Sequence, residues 1–265
     1  MKINKVCKLP ENLKATLVFA IASFATSGIN YITTPIFTRI LSTSEYGLIS
    51  VYNSWFEIVR VFASVTLIFP GILNVGLYEH SDNRWKYLSS MLGMTACSTV
   101  VISVFYGIFH QSVNEFFKLP VSTIILMLIT CFFQPATIFW TQKQRYEIKY
   151  KSTFCVSVGT AVMAQVVSVI AVLCLKNSNH NMGVVRLWSA GIVNLIVAIF
   201  LYIYICRRGK KYVDSILWKS TLFVAVPLIP HYLSTVVLSS IDKIMISQMI
   251  SQNKTGIYSL AAILS

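Results

Sequence analysis

Two ionisable residues, Glu57 and Arg60, stand three apart inside the otherwise apolar stretch Leu48–Pro70. An ionised side chain in hydrocarbon is costly and usually faces a cavity or a partner. Three residues apart on a helix, these two share a face and can pair. Two readings stand side by side. In one, the pair is neutralised and fixes helix packing; in the other, the pair is functional, Arg60 contacting an anion and Glu57 binding a proton or cation. Arg39 and Asp242 lie at the ends of apolar stretches, where reaching water costs little, so packing is the simpler role for both. His231 beside Pro230 is of a type that titrates near neutral pH, but a lone histidine at a kink reads first as a hydrogen-bonded packing residue. Tyr31, Tyr52, Trp55, Phe56 and Trp140 have rings that stack on sugars and equally serve packing or a membrane-interface belt.

The elements that carry these residues are membrane spans. Hydrophobic residues make up 55% of the 265 and charged residues only 12%, and mean hydropathy is +0.68. A soluble domain of this length lacks the polar surface to cover that balance. The reading is therefore an all-α, polytopic transmembrane helix bundle. The net charge of +13 is explained by basic loops retained in the cytoplasm and by anionic lipid, not by nucleic acid. Six cysteines, Cys7, Cys97, Cys131, Cys155, Cys174 and Cys206, form no CxxC and read as small apolar residues, neither disulfides nor metal ligands. No Walker-type or glycine-rich nucleotide loop is present, and the four histidines are scattered. No metal site, no cofactor and no catalytic residue is expected.

Seven spans follow from apolar runs of about 20 residues, each long enough for about 30 Å of hydrocarbon. They are Leu13–Thr34, Leu48–Pro70, Leu88–Phe109, Val121–Thr141, Thr153–Leu175, Gly183–Cys206 and Leu217–Ile241, with an eighth opening at Gly256. Lys143–Lys151 (KQRYEIKYK) is amphipathic enough to lie along a membrane surface. Pro35, Pro135, Pro227 and Pro230 each remove a backbone donor and are candidate bending points. With a cytoplasmic amino terminus, fifteen lysines and arginines fall inside and six outside: Arg39, Lys118, Lys176, Arg186, Lys243 and Lys254. That excess predicts the orientation. Asn253-Lys254-Thr255 matches a glycosylation sequon, a pattern common by chance.

Punctuation between spans repeats. The chain reads PIFTRILSTSEYGLISVY from Pro35 to Tyr52, and DKIMISQMISQNKTGIYSL from Asp242 to Leu260. Each has a span closing on charge and the next opening on a glycine, which implies two similar halves. These residues, Pro35, Thr38, Arg39, Leu41, Glu45, Tyr46 and Gly47, then Ser240, Asp242, Lys243, Ile246, Gly256 and Tyr258, resemble the polysaccharide flippases. These form a branch of the multidrug and oligosaccharidyl-lipid exporter superfamily.

The resemblance implies a flippase fold similar to that of the multidrug exporters, with two six-helix bundles around a central cavity. It also implies alternating-access transport of a polyprenyl-diphosphate-linked oligosaccharide for capsule, O-antigen or exopolysaccharide synthesis. The setting would be the bacterial cytoplasmic membrane, among membrane lipids and beside a polysaccharide polymerase and chain-length regulator. Residues 1–206 would form the first bundle and 207–265 the start of the second, so the chain is expected to be a fragment or truncated copy. Substrate contacts would be Arg60, Arg39, Tyr52 and Trp55, and the coupling ion would sit at Glu57 and Asp242. A cation-coupled drug exporter and, further off, a membrane-embedded polysaccharide enzyme are the other readings.

Overall fold

The computed structural model describes residues 11–176 and 181–264, so the basic arm with Lys2, Lys5, Lys8 and Cys7, and the loop residues 177–180, lie outside it. Among the described residues there are nine α-helices, one 3-10 turn at Ser81–Asn83 and no strand. In order they are α1 Glu11–Ile40, α2 Thr43–Ala63, α3 Pro70–Glu79, α4 Arg84–Phe117, α5 Val121–Tyr146, α6 Tyr150–Leu175, α7 Met182–Gly209, α8 Ser215–Met249 and α9 Gln252–Leu264. Six of them, α1, α4, α5, α6, α7 and α8, are long and apolar enough to cross a membrane. The all-α polytopic bundle expected from composition is what the chain forms.

Exposed apolar side chains jacket the outside: Phe24 and Ile32 on α1, Phe200 on α7, Phe223 and Leu238 on α8. A belt of that kind is stable against lipid. Beneath it, Leu88, Met91 and Leu92 of α4 pack with Phe139 of α5 and Ile205 of α7. A second cluster joins Leu48, Val51 and Trp55 of α2 to Ile124 and Met127 of α5.

Although it carries Glu45, Glu57 and Arg60, α2 is 21 residues long, or about 30 Å, and it packs against α4, α5, α7, α8 and α9. Neighbouring helices, not lipid, surround it, which is why it tolerates Asn53, Glu57 and Arg60. The expected second span, Leu48–Pro70, is broken. After Ala63 the chain leaves the helix through Val65 and Thr66, both at positive φ (49° and 60°), before α3 begins. Val65 N–H bonds back to the Phe62 carbonyl and Thr66 N–H to that of Val61, which satisfies two terminal carbonyls of α2. The Thr66 hydroxyl donates to the Ala225 carbonyl of α8 and Ser98 of α4 donates to that of Phe62. Irregular backbone of this kind is viable at depth because protein, not lipid, surrounds it.

Two turns show why the ends close as they do. Ser42 and Glu45 form a reciprocal capping box at the start of α2. The second Glu45 oxygen accepts from the Met182 N–H at 2.7 Å, so one carboxylate holds the first turns of both α2 and α7. At the other end of the bundle, Lys143–Lys151 is not a surface helix: Lys143–Tyr146 finish α5, Glu147–Lys149 make a tight turn and Tyr150 starts α6. Glu147 explains the correction, because it draws in Lys149 at 2.7 Å, Arg84 at 3.5 Å and the buried Lys143. Burial alone would raise the Glu147 pKa, but hydrogen bonds from Lys143 and Lys149 outweigh it and hold the carboxyl below its ordinary range.

The two motif turns face each other. Gly47 of α2 and Gly256 of α9 lie at the crossing of their helices. A Cβ on Gly47 would fall 1.9 Å from the Gln252 carbonyl oxygen, and one on Gly256 would fall 2.0 Å from that of Thr43. Ser42 caps the Glu45 N–H at 3.3 Å, and Ser251, at the same offset from its glycine, caps the Lys254 N–H at 3.3 Å. The recurrence read in the sequence is thus a reciprocal, two-fold-like contact. The sequon is part of it: Asn253 accepts from Thr43 and Thr255 is fully buried.

Candidate functional site

A polar cavity of about 500 Å3 lies among α1, α2, α5, α6, α7, α8 and α9. Five of its amides come from five helices: Asn30, Asn53, Gln134, Gln165 and Asn194. Each sits ten to thirteen residues from its helix end at the α1–α2 side of the bundle, hence at a common depth of about 15–20 Å. The Gln165 amide donates to Asn30 at 2.8 Å, which fixes α1 and α6 at that level. Its own Oε1 is buried without a hydrogen-bond partner among the described residues.

Two cations, Arg186 and Lys243, line the same cavity, and no carboxylate is among its lining residues. Arg186 lies one turn into α7, with its guanidinium 3.7 Å from the Phe37 ring centre and 5.8 Å from that of Tyr46. Stacking on rings and a side-chain hydrogen bond with Tyr46 orient the group, yet not every in-plane N–H donor is used. One, Nη1, is buried with no hydrogen-bond partner among the described residues. A buried, unpaired donor on a fixed cation is suited to an anion.

Of the residues singled out from the sequence, Tyr52 lines the cavity with Phe56, their rings stacked at 6.0 Å. Glu57 and Arg60 are joined by an ion pair, and Arg60 also lies 5.7 Å over the Phe56 ring. They continue the α2 stripe of Tyr46, Ile49 and Asn53, within about one turn of Phe56, the last lining residue of that helix. Arg60 keeps a buried Nε without a partner among the described residues. Trp55 is elsewhere: it stacks on Phe117 at 4.2 Å and belongs to the core between α2 and α5. Arg39 is exposed on α1 and does not line the cavity. Asp242 accepts from the Tyr258 hydroxyl at 3.0 Å and ties α8 to α9, while its neighbour Lys243 points inward. His231 is exposed and Trp140 is buried in the core.

Sequence reasoning missed Arg186, counting it as a loop cation on the outer side. Its sequence signal was weak, since it stands three residues into a span and only burial shows its use. The amide layer was missed because each amide sits alone in its own span. Periodicity within α2, with Tyr46, Ile49, Asn53 and Phe56 on one stripe, was the signal that could have found part of it.

Six apolar membrane-length helices and a broken central one, enclosing a cavity rich in amides and cations, define a polytopic membrane protein with a transporter-like interior. The chain belongs to the polysaccharide biosynthesis protein family, which it matches over residues 12–265. No curated protein and no solved structure matches it.

Proposed function

We propose that this protein is a flippase, carrying a polyprenyl-diphosphate-linked oligosaccharide repeat unit from the inner to the outer leaflet of the bacterial cytoplasmic membrane. The amino terminus is cytoplasmic, and the products feed capsule, O-antigen or exopolysaccharide synthesis beside a polymerase and chain-length regulator. Residues 1–206 form one bundle and 207–265 open a second, and alternating access works between them. One observation carries the reading: the cavity presents Arg186 and Lys243 with no lining carboxylate, together with a layer of amides. Cations suit a diphosphate, and amides, which both donate and accept, suit sugar hydroxyls.

Within that reading, Tyr52 stacks on sugar, and Glu57 with Arg60 lies on the path beyond the amides. Glu57 and Asp242 are the proposed coupling-ion residues, whereas Trp55, stacked on Phe117 in the core, and Arg39, exposed on α1, do not line the cavity and take no substrate role in this reading. A drug-cation exporter fits less well, because a cationic cargo would meet two cations in the cavity. A membrane-embedded enzyme is the more distant alternative.

The test is binding of a polyprenyl diphosphate to the purified protein, comparing wild type with Arg186→Gln and Arg186→Lys. Loss of a hydrogen bond to a charged group corresponds to roughly a 10- to 100-fold weakening. The glutamine variant should show it, and the lysine variant should recover part. Equal affinity in all three, with unchanged thermal unfolding, would remove Arg186 from the site and with it the main support for this function.

A further inference from the structure

We propose that a groove at the basic end of α7 is a specific site for an anionic phospholipid of the surrounding bilayer, separate from the transport cavity. The groove, of about 550 Å3, is lined by Phe200, Ile203, Tyr204, Arg207, Arg208 and Lys210. Its upper part is apolar and open: Phe200 is 69% and Ile203 47% exposed. Its lower part holds three cations and no acid. An anionic head group at the cations, with an acyl chain along Phe200 and Ile203, satisfies both halves at once.

Cations are common at this end of the bundle, and the charge pairing is what distinguishes these three. Glu147 is engaged by Arg84, Lys143 and Lys149, and Asp214 by Lys86 and Lys211. Among the described residues, no ion pair involves Arg207, Arg208 or Lys210. Arg208 is positioned as well as unpaired: its guanidinium lies 5.3 Å from the Tyr204 ring centre and 5.8 Å from that of Trp85. Lys210 is turned by its left-handed backbone (φ 56°) where α7 ends, and its N–H bonds to the Cys206 carbonyl. The α7 C-terminus thereby holds the three cations on a short, defined segment. A free inorganic anion would use the cations and leave the apolar wall unused, so a lipid is the better match.

The experiment is native mass spectrometry of the purified full chain with phosphatidylglycerol and phosphatidylcholine supplied in equal amount. Wild type should retain phosphatidylglycerol preferentially. At about fivefold for each cation near an anionic head group, R207Q/R208Q/K210Q should lower that preference by at least about tenfold. A charge-matched control, K14Q/K151Q/K219Q, removes three cations from the same end outside the groove and should keep it. Thermal unfolding confirms that both variants are folded. Equal loss in the control would show a general surface field and overturn the site. Absence of any preference in wild type would overturn it too. Displacement of phosphatidylglycerol by an equimolar polyprenyl phosphate, in wild type but not in the triple variant, would make the groove a docking place for the transport substrate and overturn the bilayer-lipid assignment. None of these outcomes depends on Arg186 or the cavity.

Discussion

Replacing Gly47 with alanine should separate α2 from α9 and destabilise the protein measurably. The new Cβ would sit 1.9 Å from the Gln252 carbonyl oxygen, 2.8 Å from its carbon and 3.1 Å from the Gly256 nitrogen. Carbon-to-oxygen contacts between packed helices run at about 3.3–3.6 Å, so the helices must part by more than an ångström. The obstacle is backbone and has no rotamer to change. Overpacking costs about 1–3 kcal/mol, and the backbone obstacle places this case at the upper end. Alanine recovers about 1 kcal/mol of helix propensity, which leaves a net loss of about 2 kcal/mol. At about 2–4 °C per kcal/mol for a chain of this size, the apparent Tm should fall by about 4–8 °C.

Gly256→Ala, 2.0 Å from the Thr43 carbonyl oxygen, should behave alike. The double variant should cost less than the sum, because one separation relieves both clashes. Gly107 and Gly159 have nothing within 4 Å of the position a Cβ would take, so alanine there should be neutral or mildly stabilising. Thermal unfolding in one detergent, followed by tryptophan fluorescence, decides the matter. A Gly47→Ala protein that melts within 1 °C of wild type, by a measurement precise to about a tenth of the shift expected, would refute the reciprocal glycine crossing. Strict additivity in the double variant would refute the shared separation.

Two further outcomes are expected. The Glu147 carboxyl is held below its ordinary range, so its stabilisation is fully present above the unfolded-state value of about 4.3 and is lost as pH falls through the lower folded value. Thermal unfolding against pH should therefore weaken below about pH 4.3 in wild type. Glu147→Gln should be less stable at neutral pH and show a flatter acid limb; an unchanged limb would remove Glu147 as the clamp. In a background with all six cysteines replaced by alanine, Asn194→Cys should react with a small hydrophilic thiol reagent, whereas Trp55→Cys, stacked position in the core, should not. Equal protection of both would argue against a water-accessible cavity.

The class of the fold was legible because it rests on composition and on run length, which need no tertiary information. The paired motif turns were legible for a different reason. A glycine that must lie against another backbone has no substitute of similar size, so Gly47 and Gly256 mark the crossing in the chain itself. Pro35, Pro135, Pro227 and Pro230 all lie inside continuous helices and end none of them.

The chain breaks instead at Val65 and Thr66, β-branched residues at positive φ that carry no turn signature and are strained there. Their conformation is imposed by partners distant in sequence, such as the Ala225 carbonyl that receives the Thr66 hydroxyl. A similar logic governs the cavity. An intramembrane charge such as Arg60 is conspicuous in one span, whereas an amide in a span is individually cheap and uninformative. Asn30, Asn53, Gln134, Gln165 and Asn194 become a site only when five helices bring them to one depth. Arg186 shows the same limit for a charge: near a span end it reads as a loop cation, and its fixed guanidinium, with a buried Nη1 that has no partner among the described residues, appears only once Phe37 and Tyr46 are packed beside it.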